Sequence, residues 1–138
     1  MNNLSTQATL ITKALNSEKR LATFLVLEPQ EPDGTTTDLH GDWYNADMVE
    51  ESCYNFNRFC KSKANVLHAI ETEGYEFVES YITKSDSYIG DVFIKKGTWL
   101  ATIFVKQGYD WIWEGILDGT FDGLSVQCTG HVIHMEEQ

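Results

Sequence analysis

Basic residues, prolines, cysteines and long apolar runs are all scarce in this 138-residue chain. No stretch approaches 18 consecutive apolar residues, so the sequence offers no membrane-spanning helix. Lys and Arg number 10 against 21 Asp and Glu, a formal net charge of −11. Such a surface repels phosphate backbones and anionic headgroups, which speaks against a general nucleic-acid or membrane binder. Cysteine is limited to Cys53, Cys60 and Cys128. An odd count without a secretion signal provides no disulfide framework. If Cys53 and Cys60 share a helix they stand about 10 Å apart along its axis, too far to bridge. Neither a CxxC pair nor a His at ligand spacing accompanies them, so no zinc site is expected and buried thiols are the simpler reading. Residues 1–15 lack the basic start, apolar run and cleavage site of a signal peptide. The expectation is a soluble intracellular protein.

What is present suits one folded domain over residues 1–138. Hydrophobic residues make up 42% and aromatic residues 12% of the chain, enough to bury roughly 68% of the surface that the unfolded form exposes. Thr9–Asn16 is a strand candidate, with a short helix as the alternative, and Asn16–Lys19 reads as a turn. Arg20–Glu28 (RLATFLVLE) is apolar enough for a strand buried on both faces. Pro29 and Pro32, the only prolines, bracket a loop that runs to Asp42. Asn45 is placed as an N-cap, with Asp47, Glu50 and Glu51 near the positive end of the helix dipole. Val49, Cys53, Phe56 and Cys60 then line one helical face, and Lys61 and Lys63 close it. Asn65–Ile70 and Tyr75–Thr83 read as a hairpin around Glu71–Gly74, and Asp91–Lys95 and Thr98–Val105 as another around Lys96-Gly97. A short helix through Tyr109, Trp113, Ile116 and Leu117 ends near Gly119, and Gly123–Met135 is the last strand. The fold class is α+β and β-rich.

Four histidines carry the obvious acid–base chemistry, since imidazole titrates near neutral pH. His68 lies in the apolar run Val66–Ile70, where a structural histidine is the commoner outcome. His40, in Asp38-Leu39-His40-Gly41-Asp42, sits among carboxylates that more often form a solvated turn than a metal loop. His131 and His134, three apart on an extended strand, point to opposite faces and make a poor chelating pair. Among hydroxyls, Ser125 follows the glycine-rich turn Gly119–Gly123, where a backbone can approach a substrate closely. A serine nucleophile needs a base within reach and donors for the oxyanion, and no GxSxG elbow is present. Trp111 and Trp113, two apart on a short helix, cannot face inward alike, so one is expected to be partly exposed and available to a partner.

The order of these segments resembles the XkdF-like family of phage serine proteases, relatives of tailed-phage prohead maturation proteases. The similar pieces are Val26-Leu27-Glu28-Pro29, Asp38–Asp42, a helix ending in Asn55-Phe56, then His68, Val78-Glu79-Ser80-Tyr81-Ile82 and Lys95–Trp99. Trp113, Gly119 and Gly123-Leu124-Ser125 complete the series, which spans about residues 21–132, with a short strand or helix before it. The resemblance implies a mainly antiparallel barrel flanked by helices, like the herpesvirus-type capsid proteases. It also implies Ser125 as nucleophile, His68 as base and Glu79 as third member, with His131 or His134 as the fallback for that third place. One departure is that Val126-Gln127-Cys128 follows the serine where the family has small residues and glycine.

Two functions follow as expectations. The first is a serine endopeptidase of phage head maturation that cuts scaffold and major capsid proteins in the host-cell cytoplasm, within the procapsid or virion, with no cofactor or metal. The second is a catalytically silent module of the same fold that binds a phage or host protein, motivated by Gln127 and the aromatic helix. Self-association is compatible with either, and neither calls for nucleic acid or a membrane.

Overall fold

The computed structural model describes residues 4–30, 44–61, 66–67 and 70–128. In chain order the elements are β1 (Leu4–Asn16), β2 (Leu21–Leu27), α1 (Ala46–Asn55) with a π-helical turn (Phe56–Cys60), β3 (Val66–Leu67), β4 (Ile70–Glu71), β5 (Tyr75–Ile82), β6 (Ser87–Ile89), β7 (Val92–Ile94), β8 (Trp99–Val105), α2 (Asp110–Leu117) and β9 (Gly123–Cys128).

The β8 sequence, WLATIFV, is apolar on both faces, so it needs strands on both sides and cover above and below. Only Phe104 within it is not fully buried. β2 pairs antiparallel along one edge, from Leu21 opposite Phe104 to Leu27 opposite Trp99, and β5 pairs along the other. The full sheet has the order β4-β3-β9-β1-β2-β8-β5. Laid flat, six interstrand steps of about 4.8 Å would separate β4 from β5 by roughly 29 Å. Yet Glu71 ends β4 and Tyr75 begins β5, and four residues of chain reach at most about 14 Å. The sheet must therefore curl until its outer strands approach each other. The result is a barrel-like α+β fold: the α+β class is the one read from the segments, and the barrel is the one that the family resemblance implied.

The inner face is built by alternation. Ala8 and Leu10 of β1, Ala22, Phe24 and Val26 of β2, Trp99, Ala101 and Ile103 of β8, and Leu124 and Val126 of β9 fall in one buried cluster. The predicted helical face is buried in the same cluster: Val49, Cys53, Phe56 and Cys60. Asn45 caps α1 as expected, its Oδ1 accepting from the Met48 N–H at 2.8 Å. Ile112, Trp113 and Ile116 of α2 complete the core. Two glycines let α2 settle there. A Cβ on Gly74 would collide with Tyr109 and Ile112, and one on Gly115 with the Phe121 ring.

Both predicted hairpins pair differently. Of the expected strand Asn65–Ile70, the described residues belong to β3 and β4, which pair with each other rather than with β5, and β5 goes to β8. The doubly apolar β8 gains more from a full-length neighbour than β5 would from a two-residue one. Likewise β7 pairs with β6 rather than with β8. The ribbon β6–β7 is an excursion between β5 and β8, closed at its base where Thr83 N–H donates to Thr98 O at 2.9 Å and Gly97 N–H to Thr83 O at 3.0 Å. The ribbon covers part of the outer sheet face: Ile94 packs with Ile11 and Leu100, flanked by Leu25, Ile89 and Val92.

Thr9–Asn16 is a strand, not a helix, and starts five residues earlier, at Leu4. Of the cysteines read as buried thiols, Cys53 is one, whereas Cys60 is disulfide-bonded. Its π-helical turn packs against β9, a tertiary contact that helical spacing does not reveal.

Candidate active site

β9 reads Gly123-Leu124-Ser125-Val126-Gln127-Cys128. Leu124 and Val126 are fully buried, and the period of a strand then turns Ser125 to the opposite, outer face. A slip of one residue would bury the hydroxyl and expose both apolar side chains. The register is fixed on both flanks. β1 sets Gln7 opposite Ser125 and Thr9 opposite Gly123, while β3 sets Val66 opposite Ser125 and Leu67 opposite Leu124. Glu71 of β4 lies opposite Val66 in turn. The outer row through the serine is therefore Glu71, Val66, Ser125, Gln7.

Ser125 is half-buried, and its Oγ accepts a hydrogen bond from Gln7 Nε2 at 3.0 Å. The Gln7 amide lies over Gly123: a Cβ there would stand 3.7 Å from Gln7 Oε1 and 3.0 Å from Ala8 O. The close approach that the glycine allows is that of the β1 backbone at Ala8, while Gln7 lies at ordinary contact distance. Chemically, a serine whose lone pair is engaged by a donor keeps its own proton free for a base. Sequence reasoning passed over Gln7. The available signal was strand alternation carried back from Thr9, which makes Gln7 an outward polar residue of β1.

His68, His40, His131 and His134 lie outside the described residues, as does the Asp38–Asp42 segment. Glu79 is on β5, exposed, opposite Thr102 of β8. An irregularity between Phe77 and Glu79 makes Val78 a bulge and resets the alternation. Glu79 and Tyr81 then face outward while Ser80 turns in. The Tyr81 hydroxyl is pushed above its ordinary pKa by burial first and by the Glu79 charge second. In sheet order β8, β2 and β1 stand between Glu79 and Ser125. Among the described residues, the strands expected to form the hairpin between His68 and Glu79 do not pair with each other: β3 pairs with β4 and β9, and β5 with β8.

Other family-like segments meet in the core instead. Ser80 Oγ accepts from Trp99 Nε1 at 2.9 Å, and Ser80 O accepts from Asn57 Nδ2 at 2.9 Å. Phe56 packs against Trp99 and Phe77 with ring centroids 5.5 Å and 5.3 Å away. Cys53 Sγ lies 3.9 Å from Ser80 Oγ, and burial pushes the thiol up to about 11. The helix end, the V-E-S segment and the G-T-W segment are thus joined as architecture. Trp113 is buried and Trp111 half-exposed, as the helix spacing required.

A cavity of about 430 Å³ opens elsewhere, beside Lys19, Arg20, Phe104, Lys106 and Asp110. Arg20 has a left-handed backbone, φ 58°, and its guanidinium pairs with Asp110 at 3.2 Å while lying 5.7 Å from the Trp113 ring centroid. No residue of β9 lines that cavity. Among the described residues, no cluster of three or more His, Cys, Asp or Glu could hold a metal, and no helix is long and apolar enough to cross a membrane.

An outward, hydrogen-bonded serine on a curled antiparallel sheet defines the class, a β-rich α+β protein with a serine hydroxyl on the outer face of β9. The chain belongs to the phage family described as "Putative phage serine protease XkdF", which matches residues 7–134. That match takes in β1 from Gln7 onward. Among relatives, the Phage-like element PBSX protein XkdF of Bacillus subtilis (strain 168) is 32% identical over 127 residues, covering 92% of this chain and 43% of that protein. Uncharacterized protein YqbD of the same organism is 29% identical over 121 residues, covering 88% of this chain and 35% of that protein. This chain therefore spans less than half the length of both relatives. No solved structure matches it.

Proposed function

We propose that the protein is a serine endopeptidase of phage head maturation, with Ser125 as nucleophile and His68 as general base. The observation that carries this reading is the outward Ser125 hydroxyl, engaged by a donor, on a strand flanked by β3. Leu67, the residue before His68, pairs with Leu124, the residue before Ser125. In the reaction, imidazole takes the hydroxyl proton as Oγ attacks the amide carbonyl, then returns it to the leaving amine.

Glu79 enters as the third member through the family resemblance alone. Along the hydrogen-bonded order of the sheet three strands stand between it and β9, and Glu79→Gln is the variant that tests its role. As the group orienting the imidazole it should cost orders of magnitude in rate; a change below ten-fold removes it from the mechanism.

The substrates in this proposal are phage scaffold and major capsid proteins, cut inside the procapsid in the host cell. Co-expression with those two proteins, followed by intact-mass measurement, tests it. Fragments present with wild type and missing with Ser125→Ala and His68→Ala support a serine protease and locate its cleavage sites. Uncut partners in all three samples reject it. A second reading, a silent binding module, draws on the half-exposed Trp111 of α2 and the exposed Tyr88–Phe93 ring pair, 5.4 Å between centroids. It predicts that Trp111→Ala weakens a partner complex while Ser125→Ala leaves the complex intact.

A further inference from the structure

We propose that Gln7 is the positioning residue of the Ser125 nucleophile, its amide N–H holding Oγ so that the hydroxyl proton points to the base. The inference rests on the protease reading and extends it to a residue on a different strand from any residue proposed above for catalysis. Gln7 and Ser125 are direct cross-strand partners, and Nε2 donates to Oγ at 3.0 Å. Direct partners share a face with Cβ atoms about 4.5–5.5 Å apart, so a Gln side chain spans the gap without leaving its strand. Ala8, buried at 1% exposure next to it, pins the phase of β1 and keeps Gln7 outward.

Serine has two lone pairs and one proton. With one lone pair occupied by the amide donor, rotation of the hydroxyl is restricted. The same donor strengthens as negative charge develops on Oγ during attack, because hydrogen bonds to charged acceptors are the stronger kind. Gly123, two residues before Ser125, carries no side chain; a Cβ there would stand 3.0 Å from Ala8 O and at ordinary contact distance, 3.7 Å, from Gln7 Oε1.

Diisopropyl fluorophosphate tests the nucleophile without a known substrate. The Oγ–P bond forms, the P–F bond breaks, fluoride leaves with the bonding electrons, and the hydroxyl proton passes to the base. The full chain is treated with it, and labelling of Ser125 is followed by peptide mass, in wild type, Gln7→Ala and Gln7→Glu. Gln7→Glu keeps the size and removes the donor, so a role confined to packing would leave it at the wild-type rate. Both variants are expected to label about 10- to 100-fold more slowly, the range that loss of one such hydrogen bond carries. Gln7→Ala should leave the pH midpoint of labelling unchanged. Gln7→Glu should raise it, because the added carboxylate favours the protonated base. Labelling of either variant at the wild-type rate, with equal melting temperatures, overturns the role of Gln7. No labelling of Ser125 in wild type overturns the nucleophile assignment itself, and the role of Gln7 with it.

Discussion

Removing the Ser80 hydroxyl should destabilise the fold through Trp99, and the size of the effect follows from geometry. The Trp99 side chain is fully buried, and its indole N–H reaches Ser80 Oγ at 2.9 Å. Ser80→Ala strands that N–H away from water, at a cost of about 1–3 kcal/mol. Trp99→Phe removes the donor and also leaves space beside Phe56, for a loss of similar or larger size. In the double variant no N–H remains to be stranded. The two losses should therefore sum to more than the double variant shows, with a coupling of about 1 kcal/mol or more. Urea midpoints at constant m value give the three free energies. At roughly 4 °C per kcal/mol for a chain of this size, melting curves show the same order. Additivity within about 0.3 kcal/mol would refute the bond as a stabilising contact and, with it, the structural reading of the V-E-S and G-T-W segments.

Other perturbations have equally definite outcomes. Burial raises the Cys53 thiol from 9.0 to about 11, so its stabilising contribution is complete below pH 9 and is lost as pH rises through 11. The loss is of order 2–3 kcal/mol, and Cys53→Ala should flatten that part of a stability–pH curve; an unchanged slope contradicts it. Tyr75, also raised by burial, adds to the alkaline loss in the same direction. At pH 8 iodoacetamide should leave Cys53 unmodified in the folded protein and alkylate it in urea. Gly115→Ala forces a Cβ into the Phe121 ring and should cost about 1–3 kcal/mol by overpacking, read from the same urea midpoints.

The sequence disclosed what local chemistry controls. Asn45 as a cap, the Val49–Cys53–Phe56–Cys60 face and the strand character of β2, β5 and β8 are each written in side-chain type and spacing. Pairing partners were less legible, because hairpins were assigned from turn residues. Lys96-Gly97 does make a turn, with Gly97 at φ 90°, but the chain leaving it enters β8, whose two apolar faces and two flanks are satisfied by distant strands. The bulge at Val78 decides which way Glu79 faces, and no residue type announces it. Ser125 drew attention because it follows a glycine-rich turn at a strand start, and its role as nucleophile was implied by the family resemblance. Gln7 was missed because its significance lies in a register 118 residues away along the chain.

The claim most in need of direct measurement is that the Ser125 hydroxyl performs the chemistry. With a cleaved partner in hand, purified wild type and Ser125→Ala are compared for rate on that substrate, with melting temperatures taken in parallel. The account predicts a fall of about 10⁴- to 10⁶-fold and no change in melting. A variant that cuts within ten-fold of the wild-type rate would place the chemistry on another residue.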